Sequence, residues 1–186
     1  MRTQPQEIIS KLELDNSRLA KELILADAMH EGLDEFFEGV KMALDPLVTF
    51  GVKQVPERND VLTGQGLSWD NFKTLANQLI NRELTGHAAR DAIELAMGVA
   101  TTEQWNGFYR RILIKDLRCG VSEKTVNKIA KKYPHYAIPV FTCPLAHDSA
   151  NHEKKMIGKK QVEVKLDGVR VITVIQGDTS HGKASR

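Results

Sequence analysis

As far as residue 133 the apolar residues of this chain recur at helical spacing, and beyond it they alternate; that switch constrains the fold more than any other feature. Ile8, Ile9 and Leu12 mark a short first helix. Asp15 or Ser17 stands where a cap would open a second, which carries Leu19, Leu23 and Ala26 on one face. Phe36, Phe37, Val40 and Ala43 form a third stripe, ended by Pro46. Residues 47–66, with several valines and glycines and Pro56, read as a loop with room for one short strand. Helical spacing resumes with Phe72, Leu75, Ala76, Leu79 and Ile80, and again with Ala88, Ala92, Leu95, Ala96 and Val99. Such stripes are what helices need in order to pack on one another.

After Tyr133 the texture changes. Pro134, Pro139 and Pro144 interrupt any helix, so residues 134–158 read as a linker. From Gln161, Val162, Val164 and Leu166 alternate with Glu163, Lys165 and Asp167, which is strand spacing. Val169, Val171 and Thr173 continue it, and Asp167-Gly168 is a strong turn dipeptide between the two runs. Gly177 to Arg186 is polar and reads as a frayed tail. A lone pair of strands is not stable in water, so a second domain looks cut off soon after it begins. The expected fold is mainly α: a helical domain over 1–133, a linker over 134–158, and the first strands of a truncated α+β domain over 159–186.

Composition removes several classes. With 41% hydrophobic and 27% charged residues, a disordered or fibrous chain is excluded. Cys119 and Cys143 are too few for a disulfide framework and fit a reducing cytoplasm. The first residues lack the apolar core of a signal peptide, and no run of about 18 apolar residues suggests a membrane span. Cys143, His147 and His152 have loose metal-ligand spacing in a proline-rich stretch and read as incidental, so no metal site is expected in this chain.

The net charge is only +2, but it is unevenly spread. Residues 1–48 carry five basic against ten acidic residues, and residues 110–132 carry eight basic against two acidic. Helical spacing would put Arg111, Lys115 and Arg118 on one face, with Trp105, Phe108 and Ile112 on the buried side. Cys119-Gly120 would stop that helix, and Ser122 would cap the next. Lys124, Lys128 and Lys131 would form its basic stripe, while Val126, Ile129, Ala130 and Tyr133 face inward. Two basic stripes flanking a tight turn suit a nucleic-acid backbone; a solvated charged face would read the same on charge alone. Thr85-Gly86 offers a second phosphate contact at a helix start, or an ordinary N-cap turn.

Glu163 to Arg170 contains the pattern Lys-x-Asp-Gly-x-Arg. Strand spacing points Glu163, Lys165 and Asp167 to one face. A partly desolvated lysine loses its proton more readily and becomes a nucleophile suited to an α-phosphate. By average residue usage, Lys-x-Asp-Gly occurs by chance in roughly a few per cent of chains this long, and the added arginine lowers that more than tenfold. A hairpin with a charged outer face accounts for the same residues without chemistry.

The pattern resembles motif I of the covalent nucleotidyltransferases: DNA ligases, RNA ligases and mRNA capping enzymes. Upstream, residues 82–89 (Arg-Glu-Leu-Thr-Gly-His-Ala-Ala) and 110–122 (Arg-Arg-Ile-Leu-Ile-Lys-Asp-Leu-Arg-Cys-Gly-Val-Ser) resemble the amino-terminal DNA-binding domain of ATP-dependent DNA ligases, especially those of T-even-like bacteriophages. The resemblance spans about residues 5–175 and is strongest at 80–130 and 160–171. It implies a helical DNA-binding domain followed by the start of a nucleotidyltransferase domain. It implies Lys165 as the adenylylated nucleophile, Glu163 on the adenine, Arg170 near the ribose or phosphate, and Asp167 with Gly168 supporting the motif. ATP and Mg2+ would serve the complete enzyme, and nicked duplex DNA would be bound by a monomer in the cytoplasm, the host's if phage-encoded. Thr85, Gly86, Arg111, Lys115, Arg118, Ser122, Lys124 and Lys128 would contact the DNA. The family's later motifs and its OB-fold are not visible, so the chain reads as a truncated ligase expected to bind DNA weakly and not to seal nicks alone. The competing reading is a non-catalytic duplex- or nick-binding protein that keeps a relic of the motif.

Overall fold

The computed structural model describes residues 3–59, 64–140 and 157–159, together with the backbone of 170–176 and 179–185. The chain divides into two compact units, Met1–Val140 and Phe141–Arg186. The described residues are mainly helical, as expected.

The first unit opens with α1 (Pro5–Leu14), α2 (Arg18–His30) and α3 (Asp34–Leu44). α1 begins on a capping box: Pro5 is pre-set for the first turn, and the Gln4 amide donates to Glu7 Oε2 at 3.1 Å. Ile8, Ile9 and Leu12 are buried, as their spacing predicts. α2 differs from the expectation. Leu19 and Leu23 are 70% and 65% exposed, and the buried face is Lys21, Leu25, Ala28 and Met29. Both faces have helical spacing; the one chosen is the one that lets Lys21 reach an internal acceptor.

No strand forms over the described part of residues 47–66; the segment is held by side chains instead. The buried Arg58 guanidinium donates to Met97 O at 2.6 Å, Gly98 O at 3.0 Å and Ala100 O, capping the end of α5. Asn106 Nδ2 donates to Arg58 O at 2.7 Å, and Arg58 N donates to Asn106 Oδ1 at 2.9 Å. Then follow α4 (Trp69–Ile80), capped by Ser68, and α5 (Gly86–Val99). A helical run continues through α6 (Thr102–Gln104), a π turn (Trp105–Tyr109) and α7 (Arg110–Leu113). α8 (Glu123–Ile129) and a 3-10 turn (Pro134–Tyr136) complete the unit.

The π turn carries the centre of the core. Trp105, Phe108 and Ile112 are fully buried, as expected. Phe108 stacks on Phe36 with centroids 6.0 Å apart, and Tyr109 stacks on Phe72 at 4.3 Å. Gly39 makes this possible, because a Cβ there would collide with the Phe108 ring and Ile112 Cδ1. The unit runs past Tyr133 to Val140: Tyr136 lies 4.5 Å from the Phe37 ring, and its hydroxyl donates to Asp34 Oδ1 at 2.6 Å. Asn127 bonds Ile138 in both directions, at 3.0 and 2.8 Å.

Within the second unit, β1 (Arg170–Gln176) and β2 (Thr179–Ser185) form an antiparallel pair, Arg170 opposite Ser185 and Gln176 opposite Thr179. The frayed tail expected over 177–186 is therefore corrected: residues 179–185 are a strand. Backbone pairing needs no apolar side chains, so a polar segment can pair with an apolar neighbour. The strand read over Gln161–Asp167 and the Asp167-Gly168 turn lie outside the described residues. A two-stranded pair does not by itself make the expected α+β domain, so that half of the fold expectation is not supported.

Candidate nucleic-acid interface

The turn between α7 and α8 departs from the sequence reading. α7 ends at Leu113, well before Cys119-Gly120, and Lys115 and Arg118 take left-handed backbone angles of φ 58° and 53°. Arg111, Lys115 and Arg118 therefore do not share a helical face. Left-handed residues cost energy outside glycine, and here specific bonds offset that cost. Lys115 Nζ donates to Met42 O at 2.9 Å and Asp45 O at 2.7 Å, placing its charge on the carbonyl end of α3. Asp116 Oδ1 accepts from the Arg118 amide at 3.0 Å and holds the reversal. Gly120 is the third left-handed residue, at φ 66°.

Arg111 is also turned inward. Its Nε donates to Asn106 O at 2.9 Å, and Nη1 reaches Glu13 Oε1 at 2.6 Å and Leu117 O at 2.9 Å. Arg118 is half-exposed, 3.7 Å from Glu57 and 3.9 Å from Asp116. Lys21, missed by sequence reasoning, is 7% exposed and donates to Cys119 O at 2.8 Å, pinning the turn from α2. Cys119 itself is buried, and burial pushes its thiol pKa up, which favours the unreactive thiol.

On α8 the cations face outward. Lys124 is exposed and makes no bond to the described residues. Lys128 is half-exposed and held by Glu22 of α2 at 2.7 and 2.6 Å. Lys131 and Lys132 follow the helix, both exposed. Val126 and Ala130 are buried and Ile129 and Tyr133 partly so, which matches the inward face expected. Ser122 stands at the N-cap, but its hydroxyl meets Thr125 Oγ1 at 3.3 Å and caps no amide.

Thr85 stands at the N-cap of α5, also without a side-chain cap bond. Gly86 has φ 55° and open space where a Cβ would project, so the backbone here can be approached closely. Lys53 and Arg90, not singled out in the sequence, line the groove beside Gly86. Glu163, Lys165, Asp167 and Gly168 lie outside the described residues, as do Cys143, His147 and His152; Arg170 is the first residue of β1. Among the described residues no His, Cys, Asp and Glu group is placed to hold a metal ion, and no helix is long and apolar enough to cross a membrane.

No family model matches the chain, and neither does any curated protein. Solved structures do, among them a pair about two-thirds identical to it. One, named Pmar-Lig_PreS3, is 66% identical over 97% of this chain, with a TM-score of 0.78. The other, named Pmar-Lig_Pre, is 65% identical over 98%, with a TM-score of 0.79. The chain spans 42% of the length of each. Both names carry a ligase abbreviation, and at this identity the chain is a ligase-related protein.

Proposed function

We propose that this chain is the amino-terminal portion of an ATP-dependent DNA ligase, in which the helical unit grips duplex DNA through its phosphates and Lys165 receives AMP. The observation that carries the reading is a Lys-x-Asp-Gly-x-Arg pattern in a chain two-thirds identical to ligase-named structures. A motif that rare alone gains most of its weight from arriving in a relative of that kind.

The deprotonated Lys165 amine attacks the α-phosphate of ATP, forms a phosphoramidate and releases pyrophosphate. AMP then passes to the 5′-phosphate of a nick, and the 3′-hydroxyl displaces AMP to seal the strand. Mg2+ would offset charge on the transferred phosphate; among the described residues no cluster of ligating side chains is placed to hold it. Glu163 and Arg170 would orient the nucleotide. The exposed Lys124, Lys128, Lys131 and Lys132 supply a sequence-independent contact to phosphate.

The test has two arms. Binding of this chain to nicked duplex is expected to weaken steeply with salt, and Lys124→Gln with Lys128→Gln should flatten that dependence. Lys115→Gln should leave the slope alone and lower the melting temperature. In a chain extended to the length of its solved relatives, intact mass after ATP and Mg2+ should show one added AMP, lost in Lys165→Ala. No adduct on the extended chain would sink the catalytic reading and leave the DNA-binding one.

A further inference from the structure

The charge separation along the sequence is closed up by the fold. Glu13 and Glu22 come from the acidic stretch, Arg111 and Lys128 from the basic one, and each acid meets a base. The two pairs differ in kind. Arg111 is 15% exposed and also bonds two backbone carbonyls, so it is part of the framework. Lys128 is 51% exposed and bonds only Glu22 among the described residues.

Glu22 has a second cation. Arg18, one turn earlier on α2, places Nε 2.9 Å from Glu22 Oε1 while its own side chain is 76% exposed. Glu22 is 14% exposed and thus fixed, with one cation on each side. Both Glu22 oxygens lie within 2.7 Å of the Lys128 ammonium. Two oxygens sharing one negative charge at that distance present to the lysine what two non-bridging oxygens of a phosphodiester would present.

We propose that Glu22 is an internal competitor for nucleic-acid phosphate: it holds Lys128 against α2 in the free protein and yields it when a duplex docks. This rests on the reading of the α8 face as the duplex-binding surface. Arg18 makes the exchange inexpensive, because Glu22 keeps one partner after Lys128 leaves. The consequence is a lower affinity for nucleic acid than the lysine count of α8 suggests.

The experiment measures duplex binding across a salt series for the protein and for Glu22→Gln, which keeps size and shape and removes the charge. Glu22→Gln is expected to bind several-fold more tightly at low salt, with the log–log slope little changed, because Lys128 meets a phosphate in both complexes. In a background carrying both Arg18→Gln and Lys128→Gln the same substitution should change neither quantity, because both charges it frees are gone. Circular dichroism and a melt of each variant check the fold; if Glu22→Gln melts early, Glu22→Ser carries the same comparison. Unchanged or weaker binding by a folded Glu22→Gln, with the unsubstituted protein binding normally, overturns the competitor role. Absence of salt-dependent duplex binding by the unsubstituted protein overturns the α8 surface itself, and the competitor with it.

Discussion

At the scale of single residues, the turn between α7 and α8 depends on atoms that sequence spacing does not reveal. Gly120 sits at φ 66°, and a Cβ there would come within 2.6 Å of Lys21 Nζ. Gly86 sits at φ 55° with nothing near that position. Both Gly→Ala changes carry the left-handed strain of about 1–2 kcal/mol, but only Gly120→Ala also displaces Lys21 from Cys119 O. Gly120→Ala should therefore be the more destabilising by urea unfolding; equal losses would show that the Lys21 bond contributes nothing. Tyr109 gives a pH signature. Burial pushes its pKa up to about 12, with the Glu35 charge adding to it, and its hydroxyl donates to Leu67 O at 2.8 Å. The folded protein keeps the phenol neutral while the unfolded chain ionises near 10, so this contribution is whole below pH 10 and is lost as pH rises through 12. Tyr109→Phe should cost about 1 kcal/mol at neutral pH, because Gln104 Nε2 still donates to Leu67 O. It should also remove part of the alkaline loss; an unchanged stability profile between pH 10 and 12 would contradict the buried phenol.

At the scale of elements, helix existence was legible and helix orientation was not. The stripes of α1, α3 and α4 predicted their buried faces, because large apolar residues at helical spacing leave one choice. α2 offered two choices, Leu19 with Leu23 or Leu25 with Met29, and the protein buries the second. No local rule would put Lys21 inside; its acceptor, Cys119 O, lies 98 residues away in sequence. Leu19→Gln and Leu23→Gln should each stay within about 0.5 kcal/mol of the parent, whereas Leu25→Ala should cost about 2–5 kcal/mol. Losses of equal size in thermal melts would restore the original register. The same blindness affected the basic pair. Charge counting found α8, whose lysines do face outward, but it treated Arg111 and Lys115 as their equals. Those two are committed to Glu13, to backbone carbonyls and to the end of α3.

At the scale of the whole molecule, the buried core of the described residues lies within the first unit. Its members run from Ile8 to Ile138. That is enough chain for an independent domain. A chain ending at Val140 should keep a cooperative melt and its salt-dependent duplex binding. A broad, non-cooperative transition would show that the remaining residues are needed for the fold. On the proposed function, binding and adenylylation would then be separable, since the nucleophile motif lies beyond that point.

The sequence by itself determined the number and spacing of most helices, the basic character of α8 and the one motif that names a chemistry. These are local properties: periodicity, proline placement and a six-residue pattern each act within a few turns of chain. Tertiary structure decided which face of α2 is buried, how far the helical unit extends, and which of eight neighbouring cations are free to meet a partner. Those outcomes depend on acceptors brought from distant segments, on Glu13, Glu22 and the carbonyls of Met42, Asp45 and Cys119. A charge is available for binding only if the fold has not already paired it, and pairing is a property of three-dimensional neighbours.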